Sequence, residues 1–388
     1  MKKAITTPFW RDKRIVPILL QVLFSALVLI AGYYFITNAI SGLQQIGIKL
    51  GFDFLKNTAG FTISESMIDF QPTDTYGKAL LVGILNTLRI AFFGIILTSI
   101  IGLFVGIAKL SNNWLLSKLA TVYIELFRNT PLLVQIFIWF FAVFLPLPKI
   151  QEAVTLGPVY LSNRGIAIPW FETHSNTVFW IVTIVLGLIL AYLLSKVLLK
   201  MEMESGKRRY PFISAIGLFA AIVIFSIIFT GTGLITIHTP AVEGRGFVGG
   251  YTLSPGYSAI LVGLVIYTST YIAEIIRAGI LGVPKGQIEA AKALGLKNST
   301  TLRLVIFPQA IRIIIPPLTS QYLNLVKNSS LAVAVGFQDI VSVGGTVMNQ
   351  TGRAVESIVM MIAFYLIFSL ITSGLMNLFN RKVQLVER

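Results

Sequence analysis

No cysteine occurs in the 388 residues, which excludes disulfides, thiolate nucleophiles and zinc–thiolate sites. Histidine is nearly absent too. His174 and His238 stand far apart in predicted loops, and no cluster of ligand-type residues accompanies them, so the sequence indicates no metal and no other cofactor. Charge is scarce: Asp, Glu, Lys and Arg make up 12% of the chain, about half the ~25% usual in a soluble domain. No G-x-x-x-x-G-K-[ST] pattern is present, since Gly77-Lys78 and Gly206-Lys207 both lack the upstream glycine. This chain therefore hydrolyses no nucleotide through a Walker motif.

What is abundant is apolar surface. Hydrophobic residues make up 55% of the chain, and the mean hydropathy is +0.81. The run 15–36 carries no charge over 22 residues, and roughly 20 suffice to cross a bilayer as a helix. Similar runs cover 79–108, 119–147, 177–199, 211–236, 257–281, 313–336 and 354–379, giving eight candidate spans. Runs of this length predict an all-α integral membrane protein, because barrel strands alternate over only about 10 residues. The apolar core of 15–36 also exceeds the 7–15 residues usual in a signal peptide. It predicts a retained span, although Thr37-Asn38-Ala39 weakly imitates a cleavage site.

Lys and Arg number 31 against 16 Asp and Glu, a net charge of +15. The excess clusters in 1–14, in 200–209, in 285–318 and in 381–388. Eight spans place all four clusters and both termini on one face, which the positive-inside rule makes cytoplasmic. The outer loops 37–78, 148–176, 237–256 and 337–353 are poorer in cations. The charge thus marks topology and calls for no nucleic acid. The glycine-rich loop 244–256 has neither a preceding strand nor a following Lys-Ser/Thr, and is expected to be a flexible connector. The chain divides into 1–78, with the first span and an outer loop; 79–147; an insertion at 148–255 carrying a helical pair; and 256–388.

The stretch KGQIEAAKALGLKNSTTLRLVIFPQAIRIIIPPL (285–318) is polar, basic and helix-prone within an oily chain. Good helix formers fill 286–294, and Gly295 stands where a left-handed cap ends a helix. Lys285, Glu289 and Lys292 share one face, which allows Glu289 to be a solvated ion-pair partner, while Ala290, Ala291 and Leu294 form a small-residue patch on another. A second short helix is expected near Ser299 or Thr300, capped by Asn298 or Ser299, limited by Pro308, with Pro316 and Pro317 breaking the start of the next span. The result is a helix-turn-helix hairpin on the cytoplasmic face, at 284–303. It can serve as a plug seated in another protein or merely connect two spans, and the residues alone leave both open.

Two further segments echo each other. YIELFR (123–128) and YIAEIIR (271–277) each place Glu three residues before Arg on a shared helical face, so Glu125–Arg128 and Glu274–Arg277 are expected ion pairs.

Glu289-Ala290-Ala291, then Gly295 and Pro308, resembles the "EAA" loop of permease subunits in ATP-binding-cassette (ABC) importers. NTLRIAFFGIILTSIIGLFVGIAKL (86–110), ELFRNTPLLVQIF (125–137), YIAEIIRAGILGVPKGQIEAA (271–291), FPQAIRIIIPPL (307–318) and LVKNSSLAVAVG (325–336) resemble the polar-amino-acid permeases of histidine/glutamine type. The extra first span and the insertion are similar to the larger permeases of general L-amino-acid uptake systems. Val305 and Phe307 replace the Ile and Leu usual in that loop and stay apolar. The resemblance implies a type I importer core in a bacterial inner membrane, not itself an enzyme. It further implies an ABC ATPase dimer holding the hairpin, a second and non-identical permease, and a periplasmic amino-acid-binding protein that delivers an L-amino acid.

An amino acid is a zwitterion, and a site for it needs a cation or helix N-terminus and an acceptor. In hydrocarbon such groups are costly and are candidates by default. Lys327 lies about 14 residues into its span, roughly 21 Å at 1.5 Å per residue. Asn324, Asn328, Ser329 and Ser330 surround it. Glu125, Arg128, Asn129, Thr130, Glu274 and Arg277 complete the substrate-pathway set, with Asn86 and Arg89 toward the outer mouth. Lys327 can equally neutralise one of the glutamates without touching substrate. Two rival functions are weighed: a stand-alone ion-coupled carrier leaves the hairpin unexplained, and a membrane-embedded enzyme lacks any His, Asp or Cys in the spans.

Overall fold

The computed structural model describes residues 15–45, 51–171, 177–205, 210–230, 237–244 and 246–383. The basic cluster 1–14, the parts of two further clusters at 206–209 and 384–388, and His174 lie outside the described residues, while the cluster 285–318 lies within them. Seven described helices are long and apolar enough to cross a membrane, or eight if one bent pair counts as a span.

One unit comprises Met1–Asn86 and Gln338–Ile371. It contains helix α1 (Ile15–Gln45), none of whose most apolar window is buried by this chain, and the first turns of α2 (Tyr76–Lys109). Phe54, Ala59, Tyr76, Ala79 and Leu80 form its core with Ile340, Val343 and Val347. The last three belong to a helix where an outer loop was expected. Asp339 caps that helix by accepting from Ser342 N at 2.9 Å, and Gly352 follows its end at Thr351. Burial of one face against 54–80 stabilises a segment too short and polar to announce itself as a span.

The other unit comprises Thr87–Phe337 and Thr372–Arg388. The rest of α2 is followed by α3 (Trp114–Asn129) and α4 (Leu132–Phe137), whose axes, with a π-helical continuation over Ile138–Phe144, meet at 102°. The run 119–147 is thus bent rather than one straight helix. Pro131 is the cause: it has no N–H and pushes Thr130 to extended backbone (φ −96°, ψ 127°).

Beyond this bend the insertion begins. Its strands are β1 (Val154–Leu156), β2 (Val159–Ser162), β3 (Gly165–Ile168) and β4 (Trp170–Phe171) before the helical pair α5 (Thr177–Ser205) and α6 (Pro211–Thr230). After the pair come β5 (Ile237–His238), β6 (Ala241–Glu243), β7 (Gly246–Val248) and β8 (Tyr251–Leu253). β1-β2-β3-β8 form an antiparallel sheet, while β4 pairs with β5 and β6 with β7. The expectation of a flexible connector at 244–256 is therefore corrected, and His238 lies in a strand opposite Trp170. Gly165 shows why the sequence permits the sheet. Its φ is +125°, and a Cβ there would fall 2.1 Å from the Leu253 carbonyl oxygen of the neighbouring strand.

Helix α7 (Pro255–Leu281) is the best buried of the spans and is capped by the Ser254 hydroxyl, which accepts from Tyr257 N at 3.0 Å. Around it lie Ile90, Leu132, Ile136, Ala332, Val335 and Phe337. After α7 come α8 (Lys285–Ala293), α9 (Asn298–Thr301), a π turn over Leu302–Ile306 and α10 (Phe307–Asn328). Lys297, not Asn298 or Ser299, occupies the cap position of α9. Pro308 does not limit the segment; the helix continues through it from Asn298 into α10, with the π turn at Leu302–Ile306 immediately before it. Pro316 and Pro317 lie inside α10 rather than before it. They remove donors to the Arg312 and Ile313 carbonyls, a loss that membrane helices absorb where neighbouring groups and local adjustments re-satisfy the backbone. In the first unit α11 (Ile340–Thr351) is the helix capped by Asp339, and α12 (Ala354–Val383) contributes to both units.

Candidate functional site

Helix α8 ends in a two-bond reversal. Leu296 N donates to Ala291 O at 3.1 Å and Gly295 N donates to Lys292 O at 2.9 Å. That is the Schellman pattern, and it needs the left-handed φ of +72° that Gly295 adopts. Nothing lies within 4 Å of a Cβ built on Gly295, so backbone conformation and not crowding selects glycine. Of the expected patch, Ala291 turns inward at 3% exposure, while Ala290 is exposed and Leu294 is 79% exposed; Glu289, on the charged face, is exposed as well. Among the described residues no ion pair engages Glu289. On the returning leg Leu302 and Leu304 also face outward, and Pro308 is exposed.

The knob rises from two helices in close contact. A Cβ on Gly279 of α7 would fall 2.3 Å from Ile314 Cγ1 of α10. Close approach through a missing side chain is the way helices hold together in lipid, where apolar area alone gives no preference for protein over chain.

The intramembrane polar residues divide into engaged and open groups. Glu274 pairs with Arg277, Nε to Oε2 at 2.9 Å, as the echo predicts, and also with Lys109, the last residue of α2. Sequence reasoning missed Lys109. Its signal was Gly102-x-x-x-Gly106 followed by Lys109, which puts two glycines and a cation on one helical face. The companion pair does not form: Glu125 and Arg128 are exposed, and the Arg128 guanidinium sits 5.2 Å over the ring of Tyr271. The Tyr271 hydroxyl bonds that of Tyr267 at 2.9 Å, so two unforeseen aromatic hydroxyls border this region. Asn129 is exposed, and Thr130 donates to Leu126 O at 2.8 Å.

On α10, Ser320, Asn324 and Lys327 are exposed at spacings of four and three, forming a polar stripe. Asn328 is half-buried. Ser329 is buried and donates to Val326 O at 2.7 Å, and Ser330 donates to Lys327 O at 2.8 Å. Those two hydroxyls close their own helix end. Asn86 is buried in the first unit, donating to Glu65 O at 2.8 Å and Gln338 O at 2.9 Å. Arg89, also buried, lies 3.8 Å over the Tyr257 ring and 5.0 Å over that of Tyr251, between α7 and the inserted sheet.

Residues 247–385 match the family described as binding-protein-dependent transport system inner membrane component. The chain is 47% identical over 365 residues to the putative amino-acid ABC transporter permease protein YhdX of Escherichia coli, covering 94% of this chain and 92% of that one. It is 44% identical to the general L-amino acid transport system permease protein AapQ of Rhizobium johnstonii, covering 90% and 88%. Identity to the glutamate/glutamine/aspartate/asparagine transport system permease protein BztB of Rhodobacter capsulatus is 36%, covering 97% and 96%.

Proposed function

The chain belongs to the permease subunits of amino-acid ABC transporters, and from that premise we propose that it conducts L-amino acids inward as one half of a two-permease pore. It is a multi-pass protein of the inner membrane and a transport subunit, with ATP hydrolysis on a separate chain. In the proposed arrangement the second permease is non-identical, a periplasmic binding protein delivers the substrate, and both termini are cytoplasmic. The relatives' names, general L-amino acid for AapQ and glutamate, glutamine, aspartate and asparagine for BztB, support this substrate class.

The observation that carries the reading is the exposed knob between α7 and α10, with Glu289, Ala290 and Leu294 outward and a rigid glycine stop. Seated in a groove of the ATPase, it would pass movement to the spans, since a packed helix shifts between discrete positions rather than deforming. A stand-alone ion-coupled carrier gives it no role, and gradient-driven uptake by the purified chain alone would favour that carrier.

For the substrate, the exposed polar groups on α3 and α10 support a path lined by Glu125, Arg128, Asn129, Asn324 and Lys327. Lys327 or Arg128 would face the carboxylate and Glu125 the ammonium, because Glu274 already holds two cations. Uptake by Glu125→Gln and Lys327→Met variants that assemble with normal basal ATP hydrolysis tests this. Raised apparent KM is expected. Wild-type KM and rate in both would remove these residues from the path.

A further inference from the structure

We propose that Lys109 is a positioning residue for transport, and that the Lys109–Glu274–Arg277 cluster is the joint through which motion of the knob reaches helix α2. This rests on the knob being the ATPase contact. Only Gly282, Val283 and Pro284 separate the end of α7 at Leu281 from the start of α8 at Lys285, so force on the knob enters α7 first.

Along its last turns α7 is met by α2 with almost nothing between the backbones. A Cβ on Gly102 would fall 2.6 Å from Ile272 Cγ2, and one on Gly106 would fall 2.8 Å from Ala273 O. Glycine contacts bring the helices close but oppose sliding weakly, because they offer no directional bond. One turn beyond Gly106 on the same face, Lys109 reaches the Glu274 carboxylate, which Arg277 holds from the other side. The three side chains are 22%, 19% and 33% exposed, so the cluster is largely shielded. A one-turn slip of α2 along α7 would separate Lys109 from Glu274 and leave the Lys109 charge without its partner in poor solvent, while Glu274 would keep only Arg277. The ion pair therefore fixes the register that the glycines leave loose.

Helix α2 is tied above this point as well. Thr98 donates to Val265 O of α7 at 3.3 Å, and Ser99 bonds the Tyr322 hydroxyl of α10 at 2.7 Å. Both legs of the knob thus connect to α2, and Lys109 is the connection nearest the knob on the α7 side. Lys109 touches neither substrate nor nucleotide; it acts through Glu274.

The test uses the whole transporter in proteoliposomes and reads amino acid moved per ATP hydrolysed. Lys109→Met should leave assembly, ATP hydrolysis and cross-linking of Leu294→Cys to the ATPase unchanged, while that ratio falls about tenfold. Lys109→Arg, which keeps the charge, should restore it. A wild-type ratio in Lys109→Met, or a loss of uptake and ATP hydrolysis in strict parallel, overturns the proposal and leaves a structural ion pair. Should Lys109→Met not insert, Lys109→Gln is read in the same way. Failure of the Leu294 cross-link with Lys109 intact strikes the knob assignment instead.

Discussion

Helix α7 and the hairpin α5–α6 are both long apolar spans, yet they occupy opposite surroundings. In α7 61% of the most apolar window is buried by the chain itself; in α5 and α6 the figure is 11% each. The difference lies in small and polar residues. Gly256, Ser258, Ala259, Gly263, Ser269, Thr270, Ala273 and Gly279 of α7 are buried. The hairpin instead presents Leu186, Leu190, Leu193, Ile216, Phe225 and Ile228 outward. Hydrophobicity selects the helices that cross the bilayer, and small residues select those that pack inside the bundle.

That contrast breaks most sharply at the glycine contacts. Gly106→Leu, which drives a side chain into Ala273 O and Ile276, should cost about 3 kcal/mol or more and deplete the monodisperse protein recovered in mild detergent. The covered-versus-open distinction extends to carboxylates. Asp339 is fully buried, and burial pushes its pKa up to about 7 from 3.8. The folded unit therefore holds a proton that the unfolded chain has already released. The Asp339 contribution to stability should be greatest below pH 4, fall by up to a few kcal/mol as pH rises to about 7, and stay level above. Asp339→Asn should flatten this slope in thermal melts. Asp74, half-buried beside Lys78, is shifted the other way, chiefly by the Lys78 hydrogen bond, so its contribution is present at neutral pH and is lost on acidification.

Effects at the knob should be smaller in stability and larger in partnership. Gly295→Ala must adopt φ +72° at a cost of roughly 1–2 kcal/mol. Gly295→Asp should likewise reduce ATPase co-purification while membrane insertion persists, and Gly295→Asn, which tolerates that conformation, should retain most of it. The smallest effect belongs to the hairpin. Leu190→Val, at a 48% exposed site, should change the melting profile by no more than about 0.5 kcal/mol, and a larger loss would show that α5 is covered by protein.

Much of this architecture was legible in the residues. Run length gave the spans, and Gly295 announced its cap because one backbone conformation there excludes other residues. The bend at Pro131 was legible in principle, but an uninterrupted apolar run masked it. Helix α11 and the small sheets escaped because their stability comes from long-range burial, as with Val343 and Val347 against Phe54 and Tyr76, and not from local pattern. Pro316 and Pro317 misled because a rule calibrated in water overstates the penalty of a missing donor inside a bundle. At the candidate site, spacing found Glu274–Arg277 but not Lys109, which lies 165 residues away and becomes a neighbour only through the glycine contact. It also paired Glu125 with Arg128, where the structure turns Arg128 onto an aromatic face.

Because the chain contains no cysteine, Leu294→Cys introduces a unique thiol at the tip of the knob. With the assembled transporter in native membranes, thiol cross-linking at this position should yield a single permease–ATPase adduct, and impermeant labels should reach it only from the cytoplasmic side. Labelling from the periplasmic side, or no ATPase adduct from an assembled and active complex, would contradict the account.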